Sequence, residues 1–284
     1  MKSLVSCCGL LPLFFAALID PLSADDLNIS YGKLPEQKLD VYTAAVTGDK
    51  SAAPVVIWVH GGGWRNGDKD NLSGKRLCKS WANHGVTMVN LNYRLTPSVV
   101  HPAHVEDVAA GIAWVHENIA RFGGDSKRIF LLGHSAGAHL VALVATNPKY
   151  LQPHGLFPNE TIAGVMPIDT ASYDLVATDT RLVRRMIHDA FGDEPETLAE
   201  ASPLQQAEKN RQICPPFRIA VVNQRKEALH ESRSLCEVLP KCKLIVMDYP
   251  QLSQLQSHAA IARDLIDPEN SMTKQLLQFV KEGN

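Results

Sequence analysis

Residues 128–143 read RIFLLGHSAGAHLVAL. A short apolar run, Ile129-Phe130-Leu131-Leu132, stops at Gly133-His134-Ser135-Ala136-Gly137, and an alanine- and leucine-rich segment with helical spacing follows at once. The pattern is strand, tight turn, helix, with one serine at the apex. A turn this sharp crowds the backbone on both sides of the serine. Glycine at 133 and 137 removes the side chains that would collide there. The serine is then held in strained geometry, its hydroxyl exposed and the next N–H groups at a helix N-terminus. This is a G-x-S-x-G nucleophile elbow, and Ser135 is the candidate nucleophile.

The surrounding chain supplies the setting such an elbow needs. Residues 55–59, VVIWV, form a continuous β-branched run, as expected of a strand buried on both faces. They end in His60-Gly61-Gly62-Gly63-Trp64. Further strands are expected at 38–42, 86–91, 162–168, 217–222 and 243–247. Helices are expected at 71–84, 105–121, 229–239 and 273–281, with a helical piece near 181–191. Strands alternating with helices give an α/β protein, a mostly parallel sheet with helices on both faces. Ligands of such sheets bind beyond the carboxyl ends of the strands. The glycine run, Ser135 and the segment after residue 222 each follow a strand, so they can meet at one sheet edge. The irregular stretch 170–212 is a candidate small or partial lid, or a plain surface excursion.

A serine hydroxyl is a poor nucleophile at neutral pH. It needs a base, an acid that orients the base, and N–H donors where an oxyanion forms. Three glycines after a buried strand let the backbone approach a ligand closely. Gly62, Gly63 and Ala136 are therefore the candidate oxyanion-hole donors.

His60-Gly61-Gly62-Gly63-Trp64, Asn92-Tyr93-Arg94-Leu95 and Gly133-His134-Ser135-Ala136-Gly137 resemble the α/β-hydrolase fold. More narrowly they resemble the hormone-sensitive-lipase-like esterases and the bacterial feruloyl- and acetyl-esterase-like esterases. Leu39-Asp40-Val41-Tyr42 and Ser202-Pro203-Leu204 add to the likeness, which covers roughly residues 35–282. It implies the chain order serine, acid, histidine. Ser257-His258-Ala259-Ala260 after the last strand resembles the family's histidine segment, which makes His258 the base among eleven histidines. Relatives carry an aspartate after the strand matching 217–222. Here that loop reads Asn223-Gln224-Arg225-Lys226-Glu227, with no aspartate. Glu227 stands at the matching place and is the first choice of acid; Glu231 and Asp169 are the alternatives. Trp64, Tyr93 and His134 border the glycine loop and the serine. They are the candidate substrate-binding residues, with packing as the alternative for each.

Composition narrows the remaining possibilities. The chain has 284 residues, 45% hydrophobic and 20% charged, with net charge −2. That balance fits one globular domain and offers no basic stripe for nucleic acid. Lys2, an apolar run over 4–19 and Leu22-Ser23-Ala24 match a secretory signal peptide cut after Ala24. The expected organisation is a leader at 1–24 and a hydrolase domain at 25–284, secreted or periplasmic, with no membrane span left once the leader is removed. Export permits disulfides. Of Cys78, Cys214, Cys236 and Cys242, the last two are the first pairing to expect, with buried free thiols as the alternative. His101 and His104 are spaced for one helix face, but Pro102 between them argues for a loop. No metal and no cofactor are expected.

The expected activity is that of a serine carboxylesterase acting on small-molecule esters of short-chain or aromatic acyl groups. The alternatives are an arylformamidase- or peptidase-type amide hydrolase and a catalytically impaired binding module. Oligomeric state is left open, a homo-oligomer included.

Overall fold

The computed structural model describes residues 25–45, 52–178 and 181–283. The leader expected at 1–24 lies outside them. In chain order the elements are β1 (Asp25–Ser30), β2 (Lys38–Tyr42), β3 (Ala53–Val59), α1 (Leu72–Ala82), β4 (Thr87–Leu91), α2 (Ala103–Asn118), β5 (Gly124–His134), α3 (Ala136–Thr146), α4 (Pro158–Thr161), β6 (Ile162–Ile168), α5 (Arg181–Phe191), α6 (Pro195–Glu200), α7 (Pro203–Lys209), β7 (Phe217–Val222), α8 (Lys226–Val238), β8 (Cys242–Met247), α9 (Gln254–Asp264) and α10 (Ser271–Glu282).

The strands form one eight-stranded sheet in the order β1-β2-β4-β3-β5-β6-β7-β8. β1 and β2 run antiparallel to their neighbours, and β4 through β8 are parallel. This is the α/β-hydrolase architecture. The central strands are apolar throughout because both faces are covered. Val55, Ile57 and Val59 of β3 pack on the α2 and α3 side, and Val56 and Trp58 pack on the α1 and α10 side. α3 is buried along its whole length, held between the sheet and α2 and α7, which explains its lack of polar residues apart from His139 and Thr146. Where a helix meets water, capping marks its start. Asn71 accepts from the Gly74 N–H before α1, and Ser253 and Gln256 form a reciprocal capping box before α9.

Parallel register levels the strand ends. Val59 lies beside Gly133, His134 beside Ile168, and Ile168 beside Ala220. The glycine run, Ser135, residue 169 and the loop after β7 therefore emerge along one edge.

Within 170–212 the described residues include α5, α6 and α7. α7 packs on α3 and α8, and α5 inserts Ile187, Ala190 and Phe191 into the core. Cys236 and Cys242 form a disulfide between the end of α8 and the start of β8, while Cys78 and Cys214 are buried free thiols. Among the described residues no helix is long and apolar enough to cross a membrane.

Candidate active site

Ser135 sits between β5 and α3 with φ 56° and ψ −122°, a left-handed region that non-glycine residues rarely adopt. Its neighbours make that possible. A Cβ on Gly133 would lie 2.3 Å from the Gly137 carbonyl oxygen, and one on Gly137 would lie 2.1 Å from the Val59 carbonyl oxygen. Either substitution drives the turn apart. The Ser135 N–H donates to the Ile168 carbonyl at 3.0 Å, which fixes the apex to the neighbouring strand.

The glycine run packs directly on this apex. A Cβ at Gly61 would stand 3.0 Å from Ser135 Cβ and 2.8 Å from the His134 carbonyl oxygen. Gly62 and Gly63 have φ +121° and +60°, and the Gly62 carbonyl accepts from the Asn66 N–H at 3.0 Å, closing the turn. Ala136 is the first residue of α3, so its N–H belongs to the donors a helix leaves unpaired at its start. Gly61 of the run and Ala136 thus adjoin Ser135, and Gly62 and Gly63 follow in the same turn.

His258 lies in α9 and comes to the same edge. Its ring centroid is 4.4 Å from that of His134, the residue preceding Ser135. Its Nδ1 lies 2.6 Å from Oδ2 of Asp169.

The carboxylate on His258 is Asp169 and not Glu227. Asp169 follows β6, has φ +53° and is fully buried. Its Oδ1 accepts from the Val222 N–H at 3.0 Å, and its own N–H donates to the Ala220 carbonyl at 2.8 Å. Arg225 Nη1 donates to Oδ2 at 2.6 Å and to the Asp169 carbonyl at 3.0 Å. Burial alone would raise the carboxyl; the hydrogen bond from His258, the Arg225 charge and the Val222 N–H outweigh it and hold Asp169 at about 2. Glu227, in the first turn of α8, instead borders a cavity of about 550 Å³ with Asp174, His230 and Glu231. Glu231 is also engaged away from His258. Its Oε2 accepts from the Tyr173 N–H at 2.6 Å, and burial pushes it up to about 7. β6 and β7 are neighbours, so a carboxylate after either strand can reach one imidazole. From the loop after β7 it is Arg225, and not the expected Glu227, that reaches Asp169 and His258.

The three expected substrate-binding residues are placed differently. Trp64 is 2% exposed, its ring edge-on to His139 and Phe191, so it is core beneath the glycine loop. Tyr93 is equally buried. It stacks on His60 and donates its hydroxyl to the His60 carbonyl at 3.0 Å, bracing the strand that carries the glycines. Arg94 likewise anchors the strand end, with Nε and Nη2 each 2.8 Å from Asp107. His134 turns toward α9 and its Nε2 donates to the His258 carbonyl at 3.0 Å. Burial and the neighbouring His258 push His134 down to about 3, so the ring is neutral. Trp64 and Tyr93 therefore turn into the protein as packing residues, while His134, only partly buried, turns to His258.

His134, Asp169 and His258 offer ligand atoms within 4.8 Å of one another, a spacing a cation could bridge. The positive charge at that point is the Arg225 guanidinium.

Comparison with known proteins agrees with this fold. The family model described as BD-FAE matches residues 39–224. Esterase LipC of Mycobacterium tuberculosis is 31% identical over 202 residues, spanning 68% of this chain and 49% of LipC. The chain spans about half the length of the curated relatives it matches. Esterase B from Lactobacillus rhamnosis superposes with TM-score 0.68 at 21% identity, over 93% of this chain and 91% of that one. A truncated carbohydrate esterase from gut microbiota superposes with TM-score 0.72 at 16% identity, over 93% and 98% of the two chains.

Proposed function

We propose that this chain, which belongs to the BD-FAE family and has the α/β-hydrolase fold, is a serine carboxylesterase with Ser135, His258 and Asp169 as its triad. The observation that carries this is the His258 Nδ1–Asp169 Oδ2 contact of 2.6 Å beside a strained serine. An ionised Asp169 can only accept, so Nδ1 carries a proton and Nε2 is left with a lone pair for the Ser135 hydroxyl. Ser135 attacks the ester carbonyl as His258 takes its proton. The N–H groups of Gly62, Gly63 and Ala136 receive the oxyanion. His258 then protonates the departing alcohol, and water repeats the sequence to free the acid.

A short or aromatic acyl group is the favoured substrate. Met186 of α5 supports this, since its sulfur lies 2.7 Å from where a Cβ on Gly63 would stand. Met186 therefore stands against the glycine loop that would receive the oxyanion. The Cys236–Cys242 disulfide favours an oxidising compartment and so supports export.

Ser135→Ala tests the assignment. It is expected to abolish hydrolysis of p-nitrophenyl acetate and labelling by a fluorophosphonate while the melting transition is retained. Turnover at the original rate in that variant refutes it.

A further inference from the structure

We propose that Arg225 is a positioning residue for the Asp169–His258 pair, holding the acid by both its carboxylate and its main-chain carbonyl. This rests on Asp169 and His258 being the acid and base. Arg225 precedes α8, and its backbone is fixed on both sides: its N–H donates to the Val222 carbonyl at 3.2 Å and its carbonyl accepts from the Leu229 N–H at 2.9 Å. From that anchored start the side chain, 17% exposed, reaches across the end of β7 to β6. One nitrogen, Nη1, makes both contacts to Asp169, at 2.6 and 3.0 Å, and lies 2.9 Å from His258 Nδ1.

Two nitrogens thus converge on one oxygen. A guanidinium has no acceptor atom and an ionised carboxylate has no donor. Both nitrogens must therefore point their hydrogens at Oδ2, which leaves the imidazole one tautomer, with hydrogen on Nδ1. The arrangement answers a difficulty created by the acid's position. Asp169 is fully buried, and burial drives a carboxyl toward its neutral form. A neutral carboxyl can donate to Nδ1 and place the ring hydrogen on Nε2, where it blocks proton removal from Ser135. Arg225 supplies the compensating charge, and its contact to the Asp169 carbonyl holds the turn that aims the side chain.

The test compares Arg225→Met and Arg225→Lys with Ser135→Ala in the full chain, with active enzyme counted by fluorophosphonate titration. Arg225→Met is expected to lower kcat about ten- to a hundredfold with KM nearly unchanged, the signature of a misplaced catalytic group rather than lost substrate binding. Arg225→Lys keeps one cationic donor between the two oxygens and is expected to recover most of kcat. If Arg225→Met retains full kcat, if its loss falls on KM, or if lysine restores nothing, the positioning role is overturned. Should Arg225→Met not fold, the lysine variant decides alone: kcat near that of the parent supports the role, and a loss as large as that expected for methionine overturns it. Ser135→Ala separates the two levels, because activity in that variant refutes the hydrolase assignment itself, whereas an inactive Ser135→Ala beside a fully active Arg225→Met refutes only the role of Arg225.

Discussion

The imidazole of His134 lies 4.4 Å from that of His258 and donates its Nε2 hydrogen to the His258 main-chain carbonyl. The residue before the serine therefore supports the helix that carries the base. His134→Ala removes both the ring contact and the hydrogen bond. Its kcat is expected to fall roughly ten- to a hundredfold from loss of orientation, with the fold intact. Saturation kinetics together with circular dichroism melting check this.

Asp169 and Glu227 make opposite predictions. Asp169→Asn preserves shape but permits the wrong imidazole tautomer, and kcat is expected to fall on the order of 10⁴-fold. Glu227→Gln should leave kcat nearly unchanged. The reverse ranking would return the acid to the loop after β7.

Lys69 and Asp40 form a buried ion pair at 3.0 Å, the two side chains 2% and 0% exposed. Lys69→Met leaves the Asp40 charge without its cation, and unfolding free energy is expected to drop by about 3–5 kcal/mol. A further Asp40→Asn substitution should recover part of that loss. Urea unfolding of the two variants measures it.

Buried neutral histidines set the acid side of stability. Burial pushes His104 down to about 4, and His134 and His139 each to about 3. These lie below the unfolded value of about 6.5, so the unfolded chain binds the extra protons. The histidines cost nothing above pH about 6.5, and each removes up to about 1.4 kcal/mol per pH unit as pH falls toward its folded value. His139→Met should reduce that slope by one such increment between pH 6 and 4, read from urea midpoints. An unchanged slope would count against a neutral buried His139.

Met186 rests against the glycine loop, and its truncation opens that space. Met186→Ala is expected to raise kcat/KM for butyryl and hexanoyl p-nitrophenyl esters relative to acetyl. The same ranking in both proteins would place the acyl group elsewhere.

Much of this architecture is local and was legible as such. β6 and β7 span the expected residues, 162–168 and 217–222, because both are short, mainly apolar segments of the kind that strands covered on both sides require. The elbow was legible because its two glycines flank the serine within five residues of chain, although the clash Gly137 avoids is with Val59 of β3. Proximity along the chain made Cys236–Cys242 the first pairing to expect, with free thiols as the alternative, and the disulfide is formed. The short strand β1 and helices α6 and α7 escaped, being brief, polar segments held by neighbours rather than by their own periodicity.

The acid and the surroundings of the base were not legible. The chain by itself determined that a strained serine and a glycine run would lie at the ends of parallel strands, since those signals depend on neighbours in sequence. Which carboxylate meets His258, and whether Trp64, Tyr93 and His134 face substrate or the interior, was decided only by tertiary packing. Adjacent parallel strands bring their ends within side-chain reach of one another, and the electrostatic pairing of Asp169 with Arg225 selects between them.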